Sequence, residues 1–577
     1  MPATDSITDR NDPHEQNRAR DDPDGAARRG LYAVVLLAGV FLVYNARGLW
    51  FGGDEWFIIT DRGLTSGPGH LGLFEPHYEH WSTLPILAFR GLYSVFGLHS
   101  YWPYIAMVII VHLAIVVLLW HVMVGSQVDG WVATCACAVF AAAGTGFENL
   151  TNAWQVQLIS PIALGLGAIL VTPESGARFT RRDAIAAALL SAAVMCSGVA
   201  LPMLVAVALI AFVRRGWRVT VLTVAVPAAL YGWWYLAYGR SEPFVAKPAP
   251  RAVPKFVWNG LTDALGDIAR IQVVGTLVVV ATLVWLAVRL VRGRDTSHLI
   301  VPVALAIGGI TFLAATGYRR GNLGVVFGRE VFSVDPATSR YAYVTIAFVL
   351  PVVALASQSL FRGSNGRRML LAAITIVLVV AQARKLDYWT DLARPGKRSD
   401  RGAVLATAAL ARGSRKFLLS RPLNVFEPQV SVGEIVQMDH DGKLPPLDEA
   451  TAADRLTVLA RLDLVVGPDP VVPTRAVAHI ESARRISTTT DTEGCVVARA
   501  RPGNELVLRL DGPGTFRVRG EGPLVLRLRD GRNVEGETVG SLLPGDHDQV
   551  VSAGTANDLL VLSLPTDHPT VLCEVVQ

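Results

Sequence analysis

The chain is 577 residues long, 51% hydrophobic and only 18% charged, with a net charge of +5. Soluble globular chains carry about 25% charged residues, so this composition argues against a water-soluble protein and for one that spends much of its length in lipid. The charge is spread over many loops, with no basic stripe, RNP-like aromatic motif or zinc-finger spacing, which argues against nucleic acid as a partner.

Residues 1–30, rich in Asp, Arg, Asn and Pro, read as a disordered cytoplasmic tail. The first apolar run, 31–44, is followed by no small-residue cleavage site, so it reads as an anchor rather than a signal peptide. A spanning helix needs about 20 mostly apolar residues. Candidate runs are 31–49, 101–124, 130–146, 152–171, 184–197, 199–213, 218–238, 271–291, 298–316, 341–360 and 367–384, about eleven in a membrane domain over 31–385. The stretch 184–213 is too long for one upright helix and is interrupted by Gly198 and Pro202, so it is divided near Ser197-Gly198. With that division and a cytoplasmic N-terminus, the clusters Arg178, Arg181 and Arg182, Arg214 and Arg215, Arg292 and Arg294, and Arg362, Arg367 and Arg368 all fall inside, as positive charge prefers. Left undivided, Arg214 and Arg215 would lie outside.

The same count leaves 50–100, 147–151, 239–270 and 317–340 as outer loops. In the first of them, Leu84, Leu87, Ala88, Leu92 and Val95 recur near helical spacing, which predicts a helix over 80–96 lying along the interface or dipping into the membrane. All 13 Trp occur at or before Trp389, many at the ends of apolar runs, as an interfacial belt would place them.

Beyond residue 385 charge and turn residues return. A charged linker is expected over 386–400, then an exported mixed α/β segment over 401–485, with a helix over 403–412 and strands over 416–419 and 462–466. Seven short strands follow at 495–500, 505–510, 515–519, 524–529, 549–552, 559–564 and 571–576. Turn signals Pro502-Gly503, Asp511-Gly512 and Asp530-Gly531 separate them, so 486–577 reads as an exported β-sandwich-like domain. Carbohydrate binding and a structural lid or spacer both fit such a domain; no Trp or Tyr follows Trp389 to stack on a sugar ring. Cys495 and Cys573 flank the strands and predict one disulfide in an exported domain. Cys135, Cys137 and Cys196 lie in apolar segments and are expected as small core residues.

Four outer elements carry polar chemistry. Gly53-Asp54-Glu55-Trp56-Phe57 puts two carboxylates just outside the first span, suited to a general base or a metal ligand, or to a solvated helix end. In Glu75-Pro76-His77-Tyr78-Glu79-His80-Trp81 a helix would put His77 with His80 and Glu75 with Glu79 on shared faces, for metal, proton transfer or interfacial anchoring. Phe147-Glu148-Asn149-Leu150-Thr151-Asn152 runs into Trp154, Gln155 and Gln157. There Asn152, Trp154 and Gln155 can hydrogen-bond and stack on a sugar, or pack helices together. The loop from Tyr318 carries Arg319, Arg320, Arg329, Glu330 and Asp335 before Ser339-Arg340-Tyr341. An arginine at this interface suits a lipid-linked phosphate or headgroup anchoring.

Together these features resemble the GT-C superfamily, polytopic glycosyltransferases that use polyprenyl-phosphate-linked sugars. Asp54-Glu55 occupies the position of that family's acidic motif after the first span, in place of the more usual paired Asp. Ser339-Arg340-Tyr341 looks like its Arg-Tyr element at the start of a late helix. His77-Tyr78-Glu79-His80-Trp81-Ser82-Thr83-Leu84-Pro85 looks like the His-bearing segment of bacterial members, and the Ala- and Arg-rich composition suggests an actinobacterium. The resemblance covers about residues 30–385.

It implies an α-helical polytopic plasma-membrane protein, with the C-terminal domain extracytoplasmic, that transfers a hexosyl or pentosyl unit to a cell-envelope glycan or lipid acceptor. The donor phosphate would sit near Arg340 with Arg319 or Arg320. Asp54 or Glu55 would act as base in an inverting attack, and His77, Glu79, His80 and Tyr341 would line the substrate site. A divalent metal is compatible with the resemblance and not required by it. No P-loop or dinucleotide fingerprint is present. A transporter of lipid-linked glycans, or a non-catalytic scaffold for the exported domain, remain the alternatives.

Overall fold

The computed structural model describes residues 24–576 except 63–71, 241–248, 294–295, 322, 327–328, 333, 362–363, 414–421, 425–426, 453, 456–457, 459–464, 468–477, 511–513, 521–523, 530–537, 543–548 and 554–558. The helices in chain order are α1 (Gly25–Asn45), α2 (Asp54–Asp61), α3 (Thr83–Phe96), α4 (Trp102–Gly125), α5 (Gly130–Ala142), α6 (Phe147–Thr151), α7 (Val156–Val171), α8 (Arg181–Val194) and α9 (Ala200–Arg215). They continue with α10 (Trp217–Trp234), α11 (Val253–Ala269), α12 (Gln272–Val291), α13 (Ile300–Arg320), α14 (Ser339–Phe361), α15 (Asn365–Gly413) and α16 (Val432–His440). The chain divides into two compact units, one of Met1–Arg47, Phe74–Pro85 and Ile105–Thr390, the other of Gly48–Leu73, Ile86–Tyr104 and Asp391–Gln577.

The first unit is a helical membrane body. Among the described residues, nine helical spans of the chain are long and apolar enough to cross a membrane, with Gly130–Thr151 (α5 through α6) and Ala153–Val171 (α7 with the short turn before it) each forming one span. They match nine of the expected runs. The other two, α8 and α9, are 14 and 16 residues long, shorter than a full crossing needs. Met195–Val199 interrupts them, at the division the sequence placed near Ser197-Gly198. The buried Arg215 at the end of α9 donates from Nη2 to the Arg178 carbonyl, at 2.5 Å, and to Asp183, at 3.2 Å. The start of α8 and the end of α9 therefore meet on one side. Thr180 and Asp183 close a capping box at that start, which satisfies two backbone donors that would otherwise be orphaned.

The expected linker over 386–400 is helical, since α15 runs unbroken through Pro395. Proline removes one intrahelical donor, for the carbonyl of Asp391. Both residues are exposed, so water can take that bond.

Three segments of the second unit pack together. The helix expected over 80–96 forms as α3. At its C-terminal end Leu98 N–H donates to the Lys443 carbonyl at 2.7 Å, and Lys443 lies over the Tyr93 ring at 5.5 Å. Arg401 lies over Trp50 at 5.2 Å and pairs with Glu449. Described parts of the 50–100 segment thus pack with the segment that follows residue 390.

The strands in chain order are the hairpin β1 (Leu323–Val326) and β2 (Arg329–Phe332), the pair β3 (Pro422–Asn424) and β4 (Glu427–Ser431), and the C-terminal β5 (Val465–Gly467), β6 (Ala478–Thr490), β7 (Val496–Leu510), β8 (Gly514–Gly520), β9 (Leu524–Arg529), β10 (Thr538–Leu542), β11 (Gln549–Ala553), β12 (Leu559–Ser563), β13 (Thr570–Cys573) and β14 (Val575–Val576). The expected break at Pro502-Gly503 does not divide β7. Its first half pairs with β13 and its second with β12, while β6 follows it along both halves with register shifts at Ile480/Ser482 and Arg484/Ile486. Those irregularities let the ribbon bend. Leu506, Leu508 and Leu562 from one half share a core with Val496, Phe516, Val518 and Leu572 from the other, so the sheet folds over itself into two layers. The Cys495–Cys573 disulfide is present. The strand expected over 416–419 lies outside the described residues, and of 462–466 only the end falls within β5.

Candidate functional site

The two carboxylates of the acidic motif have different surroundings. Gly53, with φ of 61°, turns the chain into α2. Asp54 stands in the first turn, half-buried, where the helix dipole favours a negative charge. Glu55 is fully buried among Phe51, Trp56 and Tyr101. Its carboxylate accepts from Gly52 N–H at 2.9 Å and from the Tyr101 hydroxyl at 2.6 Å. That arrangement fixes the turn and occupies Glu55, leaving Asp54 as the carboxylate nearer water.

The other expected residues gather in the membrane unit. His77 to His80 do not form a helix. The backbones of His77 and His80 pair reciprocally at 3.0 Å, with Tyr78 left-handed at φ of 52°. Such a tight turn sends Glu79 and His80 to different partners. Glu79 pairs with Arg320 at the C-terminal end of α13, at 2.5 Å. Arg320 also donates to the Tyr341 hydroxyl at 3.0 Å. Burial alone would raise the Glu79 carboxyl, but His80, when it carries its second proton, and the Arg320 guanidinium outweigh it and hold it down to about 2. Burial pushes His80 below its ordinary value, and Arg320 and Arg340 push the same way against Glu79. His80 Nδ1 accepts from Gly198 N–H at 3.3 Å, so the proton of the neutral ring sits on Nε2.

The helix interruption before α9 is thus part of the site. Leu84 N–H donates to the freed carbonyl of Met195 at 3.2 Å, next to the contact between Gly198 and His80. Trp81 stacks on Trp234 at 5.6 Å and donates to Thr83, which fixes the segment behind the turn.

Arg340 stands in the first turn of α14, half-buried over the Tyr341 ring at 5.6 Å. Among the described residues its guanidinium makes no ion pair, and its Nε is buried without an acceptor. Its backbone, by contrast, is held tightly. Arg340 N–H donates to the Glu148 carboxylate at 3.3 Å, Asn149 donates to the Arg340 carbonyl at 3.2 Å, and Glu148 N–H donates to Ser339 Oγ at 3.1 Å. The grip by Glu148 and Asn149 was not among the expected site contacts; the only local signal was two polar residues in a row inside an apolar stretch.

Asn152, Trp154 and Gln155 have local partners or surroundings within the membrane unit. Asn152 caps the short turn after α6 by accepting from Trp154 N–H at 2.9 Å, so its carbonyl is used locally. Trp154 is fully buried, its ring at 5.3 Å from His77 in an edge-on arrangement, as in the helix-packing alternative. Gln155 is buried as well, and Arg319, half-buried, makes no hydrogen bond or ion pair among the described residues. No group of three or more His, Cys, Asp or Glu among the described residues is arranged to hold a metal ion. Glu79 is already engaged by Arg320.

No protein-family model matches the chain, and no curated protein matches it. Among solved structures, that of ArnT from Cupriavidus metallidurans bound to undecaprenyl phosphate is similar, with a TM-score of 0.41 and 15% identity over 72% of this chain and 90% of that one. A likeness of that size does not assign a function to this chain.

Proposed function

We propose that the chain is a membrane glycosyltransferase that takes a sugar from a polyprenyl-phosphate donor on the outer face and delivers it to an envelope glycan or lipid acceptor. The observation that carries this reading is Arg340, a half-buried guanidinium with an unsatisfied buried donor at the end of a membrane helix. Burying such a donor unpaired costs about 1–3 kcal/mol, and a phosphate at the lipid boundary removes that cost through charge-assisted hydrogen bonds.

In this reading Arg340 receives the donor phosphate, and Arg320, held in place by Glu79 and Tyr341, adds positive charge beside it. His80 donates from Nε2 to a phosphate or acceptor oxygen. Asp54 takes the proton of the attacking hydroxyl, because Glu55 is committed to Gly52 and Tyr101. The C–O bond to the acceptor forms as the anomeric carbon–phosphate oxygen bond breaks, with inversion, and the phosphate leaves on its lipid.

The test is envelope glycan linkage analysis in a deletion strain complemented at matched abundance with wild type, Arg340→Ala or Asp54→Asn/Glu55→Gln. Loss of one linkage, restored by wild type alone, is expected. Full rescue by both variants would replace this reading with transport or scaffolding.

A further inference from the structure

We infer that Glu148 is the positioning residue for Arg340, acting through the backbone at the start of α14; this rests on the reading of Arg340 as the phosphate-binding group. The argument begins at the interruption between α5 and α6. Helix α5 stops at Ala142, and Ala143 turns left-handed with φ of 30°. The interruption leaves the Ala141 carbonyl short of a partner, and His112, buried in α4, supplies one at 3.2 Å from Nε2. A carbonyl only accepts, so Nε2 carries the proton and Nδ1 accepts from the Tyr343 hydroxyl at 2.8 Å. Gln382 accepts from Thr145 N–H at 2.7 Å on the other side of the turn.

The interruption is also built from residues without side chains. A Cβ on Gly146 would meet the Tyr343 ring at 2.5 Å. The turn therefore sits directly against α14, one helical turn beyond Arg340, and α6 emerges from it with Glu148 and Asn149 aimed at Ser339 and Arg340. Three hydrogen bonds then join two residues of α6 to two of α14. A carboxylate at a helix N-terminus satisfies an orphaned N–H and is favoured by the dipole. Here the carboxylate takes the Arg340 backbone N–H, and among the described residues no acid pairs with the Arg340 side chain.

The experiment measures undecaprenyl phosphate binding to the full chain in nanodiscs, with thermal stability read in parallel, for wild type, Arg340→Ala, Glu148→Ala and Glu148→Gln. Glu148→Ala is expected to weaken binding about tenfold, as loss of one partner of a buried hydrogen bond does. Glu148→Gln, which keeps an acceptor for Arg340 N–H, should stay within about threefold of wild type. If Glu148→Ala fails to assemble, Asn149→Ala and Ser339→Ala each remove one bond of the grip and should each weaken binding severalfold. Binding that survives these changes while Arg340→Ala loses it overturns the inference alone. Equal binding by wild type and Arg340→Ala overturns the phosphate reading beneath it.

Discussion

Glu79 and Arg320 meet at 2.5 Å between a four-residue turn and the last residue of a membrane helix. The pair holds Arg320 where its second contact, the Tyr341 hydroxyl, joins α13 to α14. The positions of both arginines thus depend on polar contacts, one to an acidic side chain and one through the backbone.

This pair has a signature in pH. Its carboxyl falls from 4.5 to about 2, so the stabilisation is complete above pH 4.5 and is lost as pH falls toward 2. The shift corresponds to about 2 kcal/mol once partial exposure is allowed for. Thermal midpoints of wild type should drop between pH 5 and pH 3, while Glu79→Gln should begin lower and show a flatter slope. Parallel curves would mean that another acid controls this range.

On the proposed function the acidic motif separates into a chemical residue, Asp54, and a structural one, Glu55. Glu55→Gln should destabilise the protein by about 1–3 kcal/mol, since one of its two donors loses a charged acceptor. Asp54→Asn should destabilise the protein by no more than about 1 kcal/mol, the scale of a charge in a helix's first turn, and abolish glycan rescue. The reverse pattern would move the base to Glu55.

Gly144 tests the interruption after α5. A Cβ there would meet the Gln382 carbonyl at 2.1 Å and Lys385 Cβ at 2.8 Å. Gly144→Ala should cost about 1–3 kcal/mol or more, because backbone cannot move aside cheaply. Gly91→Ala, within α3 and with nothing inside 4 Å, should be neutral or gain up to about 1 kcal/mol. Thermal unfolding of the two variants in the same lipid decides the contrast.

The disulfide closes 78 residues of the folded sheet, a loop for which chain entropy gives about 4 kcal/mol. Cys495→Ser and Cys573→Ser should each lower the unfolding midpoint of the strand domain in the full-length protein, and the double variant should match either single. Reductant should do the same to wild type and nothing further to the variants.

Much of this protein is legible residue by residue. Apolar runs are local and sum along the chain, so nine helical spans, the division near Ser197-Gly198 and most C-terminal strands follow from hydropathy and turn chemistry. The pairing of Cys495 with Cys573 follows too, because they flank one unit. The segment 386–400 is helical although its proline and glycine read locally as breaks, because the helix-forming residues on both sides outweigh them and solvent takes the proline's missing bond. The site was legible as a set of residues and not as an arrangement. That Glu55 is spent on Tyr101, that Trp154 packs against His77, and that Glu148 grips a backbone 192 residues away are long-range relationships. No spacing in the sequence encodes them. Tertiary packing decided them, because a buried donor or acceptor takes whichever partner the folded helices bring within about 3 Å.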